Sequence, residues 1–126
     1  MSKRLLLIGG VMNGFFTVFH IWLGWQIQLI PELLPDYKAL MQMLNVGVVL
    51  VIAFATIVSF FCVRDLLTTS LGKTTMILIA LFYATRAAEE IILAPSFSPM
   101  IFSICLVAAV LYILAIAEAA RKPDVT

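Results

Sequence analysis

The stretch Tyr83-Ala84-Thr85-Arg86-Ala87-Ala88-Glu89-Glu90 sets a guanidinium and two carboxylates on neighbouring turns of a segment otherwise apolar enough to cross a membrane. Charges in that setting are costly. On an insertion scale, Arg or Asp at a helix centre costs roughly 2.5 to 3.5 kcal/mol, and each Leu, Ile or Phe returns only about 0.3 to 0.6. With Glu treated like Asp, the three charges oppose insertion by about 8 to 10 kcal/mol, against about 2.5 to 5 from the eight Leu, Ile and Phe residues between Ile77 and Leu93. Such a helix needs partners, and the residues that partner it are where chemistry is to be sought.

Three chemistries suit these residue types. Arg86 can anchor a carboxylate or phosphate head group through two parallel N–H bonds. A histidine facing Glu90 in a partly dry cavity can relay protons, or act as acid and base on a lipophilic substrate. Alternatively, Glu89 and Glu90 lie at i+3 and i+4 from Arg86, so the cluster can neutralise itself as a local ion pair with no function beyond structure.

The elements that position these groups follow from composition. The chain has 126 residues, of which 63% are hydrophobic and 12% charged, far from the roughly 25% charge of soluble domains. An integral membrane protein is expected, as a single membrane domain over 1–126 with no room for a soluble catalytic module. Its fold class is all-α, a four-helix transmembrane bundle with short loops and spans at about 5–30, 39–62, 75–94 and 100–120. Pro31 and Pro35 end the first span, Val63-Arg64-Asp65 closes the second, and a turn over 65–75 and a tight loop at Pro95–Pro99 bound the third. The basic start Ser2-Lys3-Arg4 before Leu5 resembles a signal peptide, yet the apolar run continues to Ile30 without a small-residue cleavage site, so it reads as a retained first span.

Lys3, Arg4, Arg64, Lys73, Arg121 and Lys122 fall on one side of this arrangement, and Lys38 alone falls in a loop on the other. Both termini are therefore expected in the cytoplasm, the membrane being a bacterial-type inner (plasma) membrane. Trp22, Trp25 and Tyr37 suit the opposite interface as aromatic anchors.

Helical periodicity gives faces. Gly10, Asn13, Thr17, His20, Gly24 and Gln28 share one arc of the first helix; Gln42, Asn45, Val49, Ala53 and Thr56 share one on the second. The third presents Ile79, Tyr83, Arg86 and Glu90 together, with Glu89 turned aside as the expected local counter-ion of Arg86, and the fourth presents Cys105, Ala109, Tyr112, Ile116 and Ala119. At 1.5 Å rise per residue, His20 lies about 22 Å from the cytoplasmic end of its span and Arg86 to Glu90 about 16 to 23 Å from theirs. If the spans pack together, His20, Asn45, Gln42, Arg86 and Glu90 form one polar layer in the outer half of the bilayer. The candidate ligand-binding or proton-relay residues are thus His20, Arg86, Glu90, Glu89, Asn45, Gln42, Tyr83 and Asn13. Asn13, Gln42 and Asn45 serve equally as interhelical hydrogen-bonding groups, Tyr83 and Tyr112 as core aromatics, and Glu118, beside Arg121 and Lys122, as an interfacial residue.

Several sites are disfavoured. One histidine cannot supply bis-histidine haem ligation, no Glu-x-x-His pair suits a dinuclear metal site, and there is neither a Cys-x-x-Cys nor a phosphate-binding glycine loop. Cys62 and Cys105 are isolated and suit packing. No metal site and no particular cofactor is indicated, and no basic stripe suggests nucleic acid. The expected partners are the lipid bilayer, a lipophilic ligand, and a second copy or a larger membrane complex. Without a catalytic constellation, a pocket for a small lipophilic or amphipathic molecule is expected ahead of an enzyme; the alternatives are an accessory or assembly subunit and a dimeric proton-coupled carrier.

Overall fold

Prolines begin two of the long helices, at the first helical position where the missing N–H goes unneeded. The computed structural model describes residues 1–121, and every regular element among them is a helix: α1 Ser2–Gln28, α2 Pro35–Phe61, α3 Val63–Thr68, α4 Ser70–Ile92 and α5 Pro99–Arg121. The polar tail over 122–126, and with it the expected cytoplasmic charge of Lys122, lies outside the described residues. Asp36 sits in the first turn of α2, where the helix dipole favours a carboxylate.

Three of these helices, α1, α2 and α5, are long and apolar enough to cross a membrane. In length α4 matches α5, at 23 residues each, but Lys73, Arg86, Glu89 and Glu90 lower its hydropathy. Outward-facing Phe15, Val18, Trp25, Leu44 and Ile113 are all exposed, a surface compatible with a membrane setting.

The turn expected over 65–75 is in fact two helices meeting at Thr69. Thr69 caps α4, its Oγ1 accepting the N–H of Gly72 at 2.9 Å. Thr68, Thr74 and Thr75 return their hydroxyls to carbonyls four residues back, so the polar residues that suggested a loop are absorbed by the helix backbone. Gly72 is what lets the two helices fold so tightly: a Cβ there would fall 2.1 Å from the Asp65 carbonyl oxygen.

Packing runs in the order α2, α1, α5, α4, with α1 held against both α2 and α5, and α4 against α5 and the short α3. Ala80 and Ala87 on α4 meet Ala108, Ala109 and Ala115 on α5 in the buried core. Small side chains let helices approach closely where no hydrophobic drive exists between them. Leu6, Met76, Tyr83 and Tyr112 fill the remaining core volume. The start of α1 is tied to the end of α5 by Ser2 Oγ donating to Glu118 Oε2 at 3.2 Å, which brings both ends of the described chain to one end of the molecule.

Candidate functional site

Three polar groupings lie within the apolar helices. The deepest centres on Asn13, buried on α1. Its Nδ2 donates to the Gly9 carbonyl at 2.8 Å and to the Tyr112 hydroxyl at 2.6 Å, while its Oδ1 accepts from the Tyr83 hydroxyl. Tyr112 in turn shares a hydrogen bond of 2.7 Å with Ser59 Oγ. One residue from each of α1, α2, α4 and α5 therefore meets in a single network, and no buried side-chain polar atom among the described residues lacks a partner.

A second grouping joins α1 to α2. Asn45 Nδ2 donates to the His20 carbonyl at 2.9 Å, and Asn45 Oδ1 lies 2.9 Å from His20 Nδ1. Because the carbonyl can only accept, the amide orientation is fixed, and Nδ1 is the ring nitrogen that carries the proton. A neutral His20 then has Nε2 as its acceptor. Gln42 Nε2 adds a bond of 2.6 Å to the Gly24 carbonyl. Gly24 allows this seam to close, since a Cβ there would sit 2.8 Å from Asn45 Nδ2.

The third grouping belongs to α4 and the loop that follows it. Arg86 Nη2 donates to Glu90 Oε2 at 3.0 Å, and Glu90 Oε1 accepts the backbone N–H of Ser98 at 2.9 Å. Glu90 is 4% exposed and the Arg86 side chain 41%. The counter-ion of Arg86 is thus Glu90, where the sequence suggested Glu89. The physical reason lies in the loop: the Ser98 N–H holds the Glu90 carboxylate inward, and its second oxygen is left aimed at the guanidinium. Glu89 is exposed and forms no side-chain hydrogen bond among the described residues.

Between the second and third groupings lies a cleft of ≈ 910 Å³, with α1 and α2 on one side and α4 and α5 on the other. Its walls are Phe15, Phe16, Phe19, Leu23, Val48 and Ile52 facing Leu78, Leu81, Phe82, Ile101, Ile104 and Cys105. Polar groups reach it from His20, Tyr83, Thr85, Arg86 and Glu89. It occupies the ends of the helices remote from Ser2 and Arg121, above the Asn13 network. The volume lies in the range of small-molecule sites, about 300 to 1,000 Å³.

The expected polar layer is accordingly divided. His20 and Arg86 face the cleft from opposite sides, Asn45 and Gln42 are spent on the α1–α2 seam behind His20, and Glu90 is turned away into the α4–α5 connection. Tyr83 touches the cleft and the Asn13 network at once. Sequence reasoning passed over Ser59 and gave Ser98 only a place in a loop; a lone serine carries no signal until its partner, Tyr112 or Glu90, is brought beside it. Cys105 lines the cleft and Cys62 is half-buried, both as free thiols. Among the described residues no three His, Cys, Asp or Glu side chains converge as metal ligands would.

Fold and site together define an all-helical chain with three membrane-compatible helices and a side cleft whose walls are apolar and whose polar groups are few. In comparisons with family models, curated proteins and solved structures, nothing matches the chain.

Proposed function

We propose that this chain is a four-span integral membrane protein that binds a small lipophilic or amphipathic molecule in the cleft, with the polar end of the ligand held between Arg86 and His20. The observation that carries this reading is the cleft itself: ≈ 910 Å³ of space with aromatic and aliphatic walls, into which a guanidinium and an imidazole project. An apolar ligand body replaces lipid against those walls, and the few polar groups fix its orientation.

In this reading α4 is the fourth span. Its cost of insertion is reduced because Glu90 neutralises Arg86 and is itself satisfied by Ser98, and because Lys73, in the first turn of the helix, can extend to the interface. Lys3, Arg4, Arg64 and Lys73 then share the cytoplasmic side with both termini, and the cleft falls in the outer half of the bilayer. Phe15 and Leu81, 67% and 58% exposed at the cleft margin, leave it reachable sideways from lipid.

Native mass spectrometry of the detergent-purified chain tests the reading. The wild type should carry a small apolar adduct, or take up a single-chain amphiphile, and Ile104→Trp, which sets a bulkier indole into the cleft, should weaken that uptake by about tenfold or more, a step of about 1.4 kcal/mol. Undiminished uptake by Ile104→Trp removes the cleft as the site. Recovery with a fixed partner protein and no small molecule moves the function to that of an accessory subunit. A single cysteine at Ser96 in a background lacking Cys62 and Cys105 should react with an impermeant maleimide only from outside; labelling from the cytoplasm inverts the topology.

A further inference from the structure

The charges on the cleft wall do not balance. Arg86 and Glu90 are paired at 3.0 Å, and Glu90 is turned out of the cleft, so the pair contributes no net charge. Glu89 lines the cleft with no cation within salt-bridge distance and no hydrogen-bond partner among the described residues. It stands three residues from Arg86, and i,i+3 neighbours on a helix have Cβ atoms about 5 to 6 Å apart. Among the described residues Arg86 makes one side-chain hydrogen bond, through Nη2, and keeps further N–H donors on a side chain that is 41% exposed and lines the same wall. Side by side, the wall therefore offers an uncompensated carboxylate and a guanidinium with unused donors.

Resting on the cleft as the binding site, we propose that its ligand is a zwitterionic amphiphile whose head carries an ammonium set beside a phosphate or carboxylate. The ammonium pairs with Glu89, the anionic oxygens take the open donors of Arg86, and the apolar chain lies along Phe15, Phe19 and Leu78. The recognition is electrostatic and directional. An unpaired carboxylate facing hydrocarbon is costly, so a head group bringing a cation gains more than a neutral one of equal size. An anionic head alone meets Arg86 but is repelled by Glu89 at one residue-pair spacing. A cationic head alone meets Glu89 and leaves the donors of Arg86 unused. His20 Nε2, across the cleft, is a further acceptor for an ammonium N–H.

The test compares four amphiphiles with the same palmitoyl-length tail on the full chain in detergent, read as bound fraction by native mass spectrometry. Two are zwitterions, lysophosphatidylethanolamine with an ammonium and a phosphate, and Nε-palmitoyl-lysine with an ammonium and a carboxylate. One is anionic, lysophosphatidylglycerol, and one cationic, hexadecylamine. At least one zwitterion should bind about tenfold more tightly than either singly charged probe, as one added charge-assisted contact implies, and the tighter of the two names the anionic group.

Glu89→Gln should remove that advantage while leaving lysophosphatidylglycerol binding equal or improved. The double variant Arg86→Gln with Glu90→Gln, which removes the ion pair without stranding a buried charge, should lower both zwitterions towards hexadecylamine. Equal binding of all four probes, or a preference unchanged in Glu89→Gln, overturns the zwitterion assignment and leaves the cleft standing. Failure of all four to bind above the level of Ile104→Trp removes the cleft reading itself.

Discussion

The two halves of the molecule use the same kind of residue to opposite effect. Towards the termini, Asn13, Ser59, Tyr83 and Tyr112 form one network that crosses from α1 to α2, α4 and α5, and the helices are closed around it. Towards the other end, hydrogen bonds stay within neighbours: His20, Asn45 and Gln42 join α1 to α2, while Arg86, Glu90 and Ser98 join α4 to its own following loop. No hydrogen bond among the described residues crosses between those two sets, and the cleft opens along that line. In hydrocarbon, where apolar surfaces gain little by meeting each other, the placement of hydrogen bonds decides where helices separate. A polar residue shared among all helices closes the structure, and one spent on a single neighbour leaves room beside it.

The sharpest way to break the contrast is to remove its closed half. Asn13→Leu strands the Tyr83 hydroxyl at a buried site and leaves Tyr112 with Ser59 alone, at about 1 to 3 kcal/mol for each lost partner, less what the unfolded chain in a micelle recovers. We expect a loss of about 2 to 4 kcal/mol in reversible denaturant unfolding, with both helix pairs separating in one transition. A loss below about 1 kcal/mol would show that packing of Ala80, Ala87, Ala108 and Ala109, and not the network, holds this end together.

The open half has two seams, and the α1–α2 seam is broken by Gly24→Ala. The added Cβ would meet Asn45 Nδ2 at 2.8 Å, and Asn45 cannot yield without giving up His20. Overpacking of this kind costs about 1 to 3 kcal/mol, and it should release His20 Nδ1, visible as a changed imidazole ¹⁵N shift pattern. An unchanged His20 tautomer would mean that Asn45 does not set it.

On the facing side, Glu90→Ala removes the acceptor of both Arg86 and the Ser98 N–H. Because Arg86 is 41% exposed and can turn into the cleft, the loss should be about 1 to 2 kcal/mol, below the about 3 to 5 of a fully buried broken pair. Faster hydrogen exchange confined to residues 93–98 should accompany it. Protection unchanged there would detach the loop from Glu90.

Much of this arrangement is legible in the sequence, and what is not has a common cause. Helix lengths and faces follow from hydropathy and period: Asn13 and His20, Gln42 and Asn45, Tyr83 and Arg86 each lie on the inward side that their spacing implies. The angle at which one helix faces another does not. His20 and Arg86 line one cleft, yet a gap wide enough for a ligand separates them, and Glu90 is turned out of it. Nor does sequence say that Ser98, eight residues on, returns its N–H to Glu90, the contact that makes Glu90 and not Glu89 the partner of Arg86. Around Thr69, residues that read as a turn form the junction of two helices, because Gly72 permits an approach that a Cβ would block.

The smallest expected effect is the most discriminating, because it sets Glu89 directly against Glu90. The two are adjacent and chemically identical, but only one is held by the protein. Glu89→Gln removes a carboxylate that has no protein partner among the described residues, so stability should change by less than about 0.5 kcal/mol, as at surface positions without specific contacts. With α4 as the proposed fourth span the expected direction is a small rise, since an uncompensated charge opposes insertion. Glu90→Gln can keep the Ser98 bond only by turning its NH2 towards Arg86 Nη2, so it forfeits both the charge and the Arg86 hydrogen bond, and should cost more than Glu89→Gln in the same unfolding assay. Equal costs would mean that Arg86 exchanges freely between the two carboxylates, in which case the one uncompensated negative charge is shared between them and Glu89 is no fixed anchor for an ammonium.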